Sequence, residues 1–249
     1  MNDRVMTAAR VIYAAPMRVS SLLGRIGLLL AAAPATATSL VDELTALAPA
    51  ANSAVLERAL AARDCAIARG LATAGERLAV IDYAQPSTEP RLWVFDLSGP
   101  SLLFIEHVAH GQGSGENLAR HFSNREGSHQ SSLGLFRTGE TYDGDNGYSL
   151  RLDGLEPGLN DRARARAIVM HGAAYVDPLQ ALRQGRLGRS FGCPAVRTAI
   201  ARPLIDAIKQ GQLLYAEAPD TADTSALAEC RRDSVARAGA QRNNTAARP

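Results

Sequence analysis

The sequence predicts a mainly β protein, a mostly antiparallel sandwich or barrel with a few short helices and a helical segment in front of it. Three observations carry this expectation. Short apolar runs of strand length recur between about residues 77 and 217. Connections rich in glycine and proline separate them, and helical spacing of apolar residues is confined to about residues 39–75.

The elements follow in order. Ser39 with Asp42 three positions on makes a capping-box pattern. Val41, Leu44 and Leu47 then share one helical face, and Pro49 stops that helix. A second helix fits residues 53–69, where Val55, Leu56, Ala59, Leu60, Ala66 and Ile67 recur at helical spacing and Gly70 stands at the C-cap. The pair is expected to pack on the main domain. The period then changes. Residues 78–83 read as a strand, 85–90 as a turn-rich link, and 91–97 as a second strand. Ser98-Gly99-Pro100 is a hairpin turn into a strand over 101–109. Further strands fit 133–137, 148–152, 165–171 and 213–217. One short helix fits 203–210, with Pro203 in its first turn and Gly211 at its stop. Residues 218–249 carry few large apolar side chains and read as a flexible tail, with a short helix over 225–237 as the alternative.

The N-terminus has its own pattern. Arg4, Arg10, Arg18 and Arg25 face a single acid, Asp3, before the apolar run 26–33 and a small-residue end at Ala35 and Ala37. This is the layout of a secretory signal peptide over residues 1–37, cleaved after Ala37 or Ala35. The run is shorter than the ~20 apolar residues a membrane span needs, so no stable membrane span is expected once the signal is cleaved. The expected organisation is therefore a signal peptide at 1–37, a helical segment at 38–76, a main domain at 77–217 and a tail at 218–249. Met6 or Met17 are alternative starts.

Composition excludes several classes. At 46% hydrophobic residues, the 249-residue chain is too apolar for wholesale disorder, and its 3 cysteines cannot build a disulfide scaffold. The formal charge of +2 rests on the leader; without residues 1–37 it becomes −1, with 23 basic and 24 acidic residues. Nucleic acid is not an expected partner. Cys65 and Cys230 would pair in an oxidising compartment and tie the tail to the helices, or both stay free.

The densest chemical signal joins Ile168-Val169-Met170-His171-Gly172 to Gly188-Arg189-Ser190-Phe191-Gly192-Cys193-Pro194. His171 ends an apolar strand, so it can face a cleft on a rigid frame. Cys193 follows a glycine that permits close backbone approach and can present a free N–H. A thiol, a base and backbone donors are the parts of an acyl-transfer nucleophile. The alternatives at this stage are a structural histidine and a buried or disulfide-bonded cysteine. His110, within His110-Gly111-Gln112-Gly113-Ser114-Gly115, lines the same cleft or sits in a turn. His107, His121 and His129 share no ligand spacing with the cysteines, so no metal is expected. Asp143-Gly144-Asp145-Asn146-Gly147 lacks the downstream glutamate of a calcium loop and reads as a solvated turn. Arg162, Arg164 and Arg166 alternate ahead of His171 and would share one face of a strand.

The stretch from His171-Gly172 to Ser190-x-Gly192-Cys193 resembles the active-site signature of the YkuD-like murein L,D-transpeptidase catalytic-domain family. The resemblance extends to Arg91–Asp96, His110–Gly115, Phe122-Ser123-Asn124, Ser131–Gly134, Ser149–Leu155 and Gly185–Val196, and covers about residues 77–217. It implies an L,D-transpeptidase-type β-sandwich or barrel. It also implies a cysteine acyltransferase that acts on peptidoglycan stem peptides, with no cofactor, exported to the periplasm or beyond and working as a monomer. The catalytic residues it implies are Cys193 as nucleophile, His171 as base, Gly192 at the oxyanion and Ser190 shaping the loop. Arg189, Gly172, His110 and Arg197 become the substrate-binding candidates. Two positions depart from the commoner pattern. Phe191 stands where a histidine is usual, and Ala195 where an arginine is usual, with Arg189 or Arg197 as stand-ins. The competing functions are an L,D-carboxypeptidase and a catalytically inactive wall-binding protein on the same fold. A papain-like peptidase is disfavoured because there the cysteine precedes the histidine.

Overall fold

The structure is a computed structural model that describes residues 38–218, 230 and 233–236. The expected signal peptide lies outside the described residues, as does most of the expected tail. Two helices lead: α1 (Leu40–Leu47) and α2 (Ser53–Ala68). The capping box is present, with the Ser39 hydroxyl accepting from Asp42 N–H and the Asp42 carboxylate accepting from Ser39 N–H. Asn52 caps α2, and Gly70 ends it at φ 70°, where its N–H and that of Leu71 close onto Ile67 and Ala66.

Eight strands make one sheet: β1 (Arg77–Asp82), β2 (Leu92–Asp96), β3 (Ser101–Glu106), β4 (Gly134–Gly144), β5 (Gly147–Gly154), β6 (Val169–Ala173), β7 (Ala195–Arg197) and β8 (Leu213–Glu217). Their spatial order is β3-β2-β1-β8-β4-β5-β6-β7. Pairing is antiparallel except for β1 with β8 and β6 with β7. The sheet is nearly closed. Beyond β3, Ala109 bridges Ala195 of β7, and Arg197 reaches back to Glu106 in a two-pronged ion pair. The expected mainly β architecture is thus present.

The period of two decides which face each side chain covers. Ala79, Ile81, Leu92, Val94, Phe136, Leu150, Leu152, Met170 and Leu214 point inward. There they meet Leu204, Ile205 and Ile208 of α4 (Thr198–Ile208). Leu78, Val80, Trp93, Phe95, Leu135, Leu213 and Tyr215 point the other way, onto α1 and α2. Both faces of β1 are therefore covered, and from Leu78 to Asp82 the strand is buried without a break. Cys65 of α2 and Cys230 form a disulfide with Cα atoms 5.9 Å apart, so of the two open alternatives the pairing is the one present.

Several boundaries differ from expectation for identifiable reasons. α4 begins at Thr198, not Pro203, and Pro203 lies inside it. Its apolar side chains face the barrel interior, and this packing outweighs the one backbone bond that a proline omits. The strand expected over 165–171 begins only at Val169, because residues 160–167 form turns that end at Ala167 with φ 53°. Arg162, Arg164 and Arg166 consequently share no strand face. β3 stops at Glu106 rather than residue 109. The helix α3 (Pro178–Gln184) and the strand β7 had no counterpart in the expectation.

Candidate active site

The parallel register of β6 and β7 builds the site. His171 lies opposite Ala195, with Ser149 of β5 on its other side. Cys193, two residues before Ala195, meets Val169, whose N–H points at the Sγ from 3.5 Å. The thiol itself faces the Ala167 carbonyl at 3.6 Å. Ala167 presents that carbonyl from a left-handed conformation that disfavours a Cβ.

His171 Nδ1 donates to the Gly172 carbonyl at 3.0 Å, which leaves Nε2 without a protein partner among the described residues. Burial holds the imidazole below its ordinary value of 6.5, so it is neutral near pH 7. Burial likewise pushes the Cys193 thiol up, while Val169 N–H and the Arg166 charge oppose that shift. The resting pair is therefore a neutral imidazole and a thiol. Both border one cavity of about 440 Å³, together with Arg166, Tyr175, Arg189, Ser190, Phe191 and Asn146.

Glycine is required at 192. Its φ is 125°, and a Cβ there would lie 2.9 Å from the Gln130 carbonyl oxygen and from the Ile168 side chain. The Ser131 hydroxyl donates to the Gly192 carbonyl at 3.1 Å. Ser190 pins the same loop: its hydroxyl donates to the Cys193 carbonyl at 2.6 Å and accepts the Gly192 N–H at 3.1 Å. The Gly192 N–H is thereby engaged. The Cys193 N–H makes no hydrogen bond among the described residues and is the available donor beside the sulfur.

The four substrate-binding candidates separate. Arg189 borders the cavity, but its charge is met by Glu116 at 2.7 Å and its Nη1 also donates to the Gly115 carbonyl. Arg197 turns away into the pair with Glu106 and does not border this cavity. Gly172 backs onto α4, where a Cβ would lie 2.8 Å from that of Ala201. His110 is buried away from the cleft, accepts from Arg91 at 2.7 Å through Nδ1 and meets the Gly115 carbonyl through Nε2. Arg197, Gly172 and His110 are thus parts of the frame, because ion pairing, helix packing and burial have already engaged them.

Ala195 is fully buried between His171 and Ala109, so an arginine here would enter the core. Sequence reasoning missed Arg166, Tyr175 and Asn146 at the cavity. Arg166 stood in the alternating arginine run, but only the turn at Ala167 aims it inward. Among the described residues no cluster of His, Cys, Asp or Glu is arranged to hold a metal ion, and no helix is long and apolar enough to cross a membrane.

Residues 47–216 match the L,D-transpeptidase catalytic domain, a stretch that takes in α2 as well as the sheet, short only of the last residue of β8. No curated protein matches the chain in sequence. Solved structures that resemble it include an L,D-transpeptidase from Mycobacterium smegmatis, at 15% identity, 57% of this chain, 58% of that chain and TM-score 0.34. L,D-transpeptidase 1 of Mycobacterium tuberculosis gives 13% identity, 57% of this chain, 61% of that chain and TM-score 0.32. An L,D-transpeptidase from Stackebrandtia nassauensis gives 12% identity, 73% of this chain, 91% of that chain and TM-score 0.35. The chain thus spans about three fifths of the length of the mycobacterial structures. With more than half of its residues matched, the chain belongs to the L,D-transpeptidase catalytic-domain family.

Proposed function

We propose that the protein is a peptidoglycan L,D-transpeptidase whose nucleophile is Cys193. The observation that carries this reading is the shared cavity, which the Cys193 thiol and the His171 imidazole both border, with His171 Nε2 left open. In the proposed reaction the Cys193 sulfur attacks the amide carbonyl that joins the L-centre of the third stem residue to D-Ala. His171 Nε2 takes the thiol proton, and the Cys193 N–H receives the oxyanion. The C–N bond then breaks, His171 returns the proton to the leaving amine, and D-Ala departs from a Cys193 thioester. An amine from a second stem attacks the thioester and yields a 3–3 crosslink, its proton passing through His171 back to the thiolate. Ser190 holds the loop that carries these atoms. Arg189 contributes to substrate binding at the cavity wall.

The disulfide between Cys65 and Cys230 supports an oxidising compartment, consistent with export to the periplasm or beyond. The chain acts as a monomer in this reading. Incubation with disaccharide tetrapeptide, followed by mass spectrometry of the products, tests it. Crosslinked dimer with loss of D-Ala is expected, and Cys193→Ala should abolish both while leaving the fold intact. D-Ala loss alone would make the protein an L,D-carboxypeptidase. No turnover, with Cys193 inert to a carbapenem, would make it a wall-binding protein without catalysis.

A further inference from the structure

Arg166 is a cation in the cavity that the acid–base chemistry above leaves unused. Its Nη1 donates to the Ser123 carbonyl at 2.5 Å and the Ser132 hydroxyl at 2.6 Å. Its Nη2 donates to the Ser128 hydroxyl at 3.2 Å and the Gln130 carbonyl at 2.8 Å. All four acceptors are neutral, and no carboxylate pairs with it among the described residues. Arg189, across the same cavity, is paired with Glu116. A half-buried guanidinium without a counter-anion is an unfavourable arrangement unless an anion forms beside it. Both terminal nitrogens are held, so this charge is fixed and cannot swing onto a substrate. The same four bonds gather residues 123–132, which back onto the nucleophile loop through Ser131 and Gln130.

We propose that Arg166 is the positioning residue of Cys193: its fixed charge stabilises the thiolate as the proton leaves for His171, and its fork clamps the 123–132 segment behind Gly192. This rests on Cys193 being the nucleophile. The other titratable groups near the thiol are consistent with it. Tyr83 and Tyr175 are pushed up to about 12 and stay neutral, and His171 is neutral at rest. Arg189 is compensated by Glu116, so the uncompensated charge near the thiol is that of Arg166.

The pH dependence of Cys193 alkylation by iodoacetamide tests the proposal, with Cys193→Ala as the blank. It reads the thiolate without any peptidoglycan chemistry. Arg166→Gln is expected to move the alkylation midpoint up by about one unit, which slows labelling near neutral pH about tenfold. Arg166→Lys keeps the charge but loses the fork, so its midpoint should stay near that of the wild type while its thermal midpoint falls. A folded Arg166→Gln variant with an unchanged midpoint overturns the proposal, and its crosslinking then shows whether the transpeptidase reading survives. If Arg166→Gln fails to fold, Arg166→Lys decides. A wild-type midpoint supports a role through charge, and a midpoint raised by about a unit or more contradicts it.

Discussion

Arg91 with His110 and Arg166 with His171 use the same residue types in two parts of one barrel. Arg91 and His110 are sealed, the arginine fully buried and donating to His110, to the Val108 carbonyl and to the Gln85 carbonyl. Both ring nitrogens of His110 are occupied, and burial beside the Arg91 charge holds it down at about 4. Arg166 and His171 border an open cavity together with the Cys193 thiol, and one ring nitrogen of His171 is unengaged. What separates frame from chemistry is therefore the state of the remaining polar atoms, not the identity of the side chains. Where every donor and acceptor is satisfied, a histidine holds the barrel together. Where one is left open on a cavity shared with a thiol, it is available to move a proton in the proposed reaction.

That contrast breaks most visibly at the two histidines. His171→Gln should lower crosslinking by roughly 10²–10⁴-fold, the usual worth of a positioned general base, with little change in thermal midpoint. Product formation and melting measured on one sample check this, and near-wild-type turnover would assign the base elsewhere.

The next largest effect lies on the sealed side. Arg91→Met removes the donor to His110 Nδ1 and to the Val108 and Gln85 carbonyls, and buried acceptors left unpaired weaken the fold. The expected loss is about 3 kcal/mol or more in denaturant unfolding. Arg166→Gln, whose lost acceptors are nearer solvent, should lose less stability and more thiol reactivity.

A pH titration sharpens the comparison further. Unfolded His110 takes its proton near 6.5, folded His110 only near 4. Between these values the unfolded chain binds more protons, so stability falls as pH drops through that window, by up to roughly 3 kcal/mol. His110→Asn should flatten this window in urea titrations. His171, also lowered by burial, adds a contribution of the same sign and, as the proposed base, is expected to set the acid limb of kcat/KM below 6.5.

The frame was far more legible in the sequence than the cavity. Strands β1, β2 and β8 announce themselves as apolar runs because both of their faces are covered. The capping box at Ser39 and the glycine at Gly70 place the two helices nearly to the residue. α3 went unseen because among its seven residues only Ala181 is buried, which leaves no apolar stripe to read. Pro203 misled because a proline more often opens a helix than sits inside one. Cys193 and His171, which border one cavity, stand out in the sequence through their glycine neighbours. Arg166 was not, because its direction depends on the positive φ of Ala167, a conformation that an alanine does not advertise. Arg197 and His110 were overread for the complementary reason: Glu106 and Arg91, their partners, lie in distant strands.

The central claim is that Cys193 carries the acyl group. Intact-protein mass spectrometry within the first turnover of a disaccharide tetrapeptide tests it most directly. The expected result is a covalent adduct equal to the substrate less D-Ala, located on the peptide that contains Cys193, discharged by an amine acceptor and absent from Cys193→Ala. Release of D-Ala with no adduct on Cys193, or the same adduct in Cys193→Ala, would contradict the account.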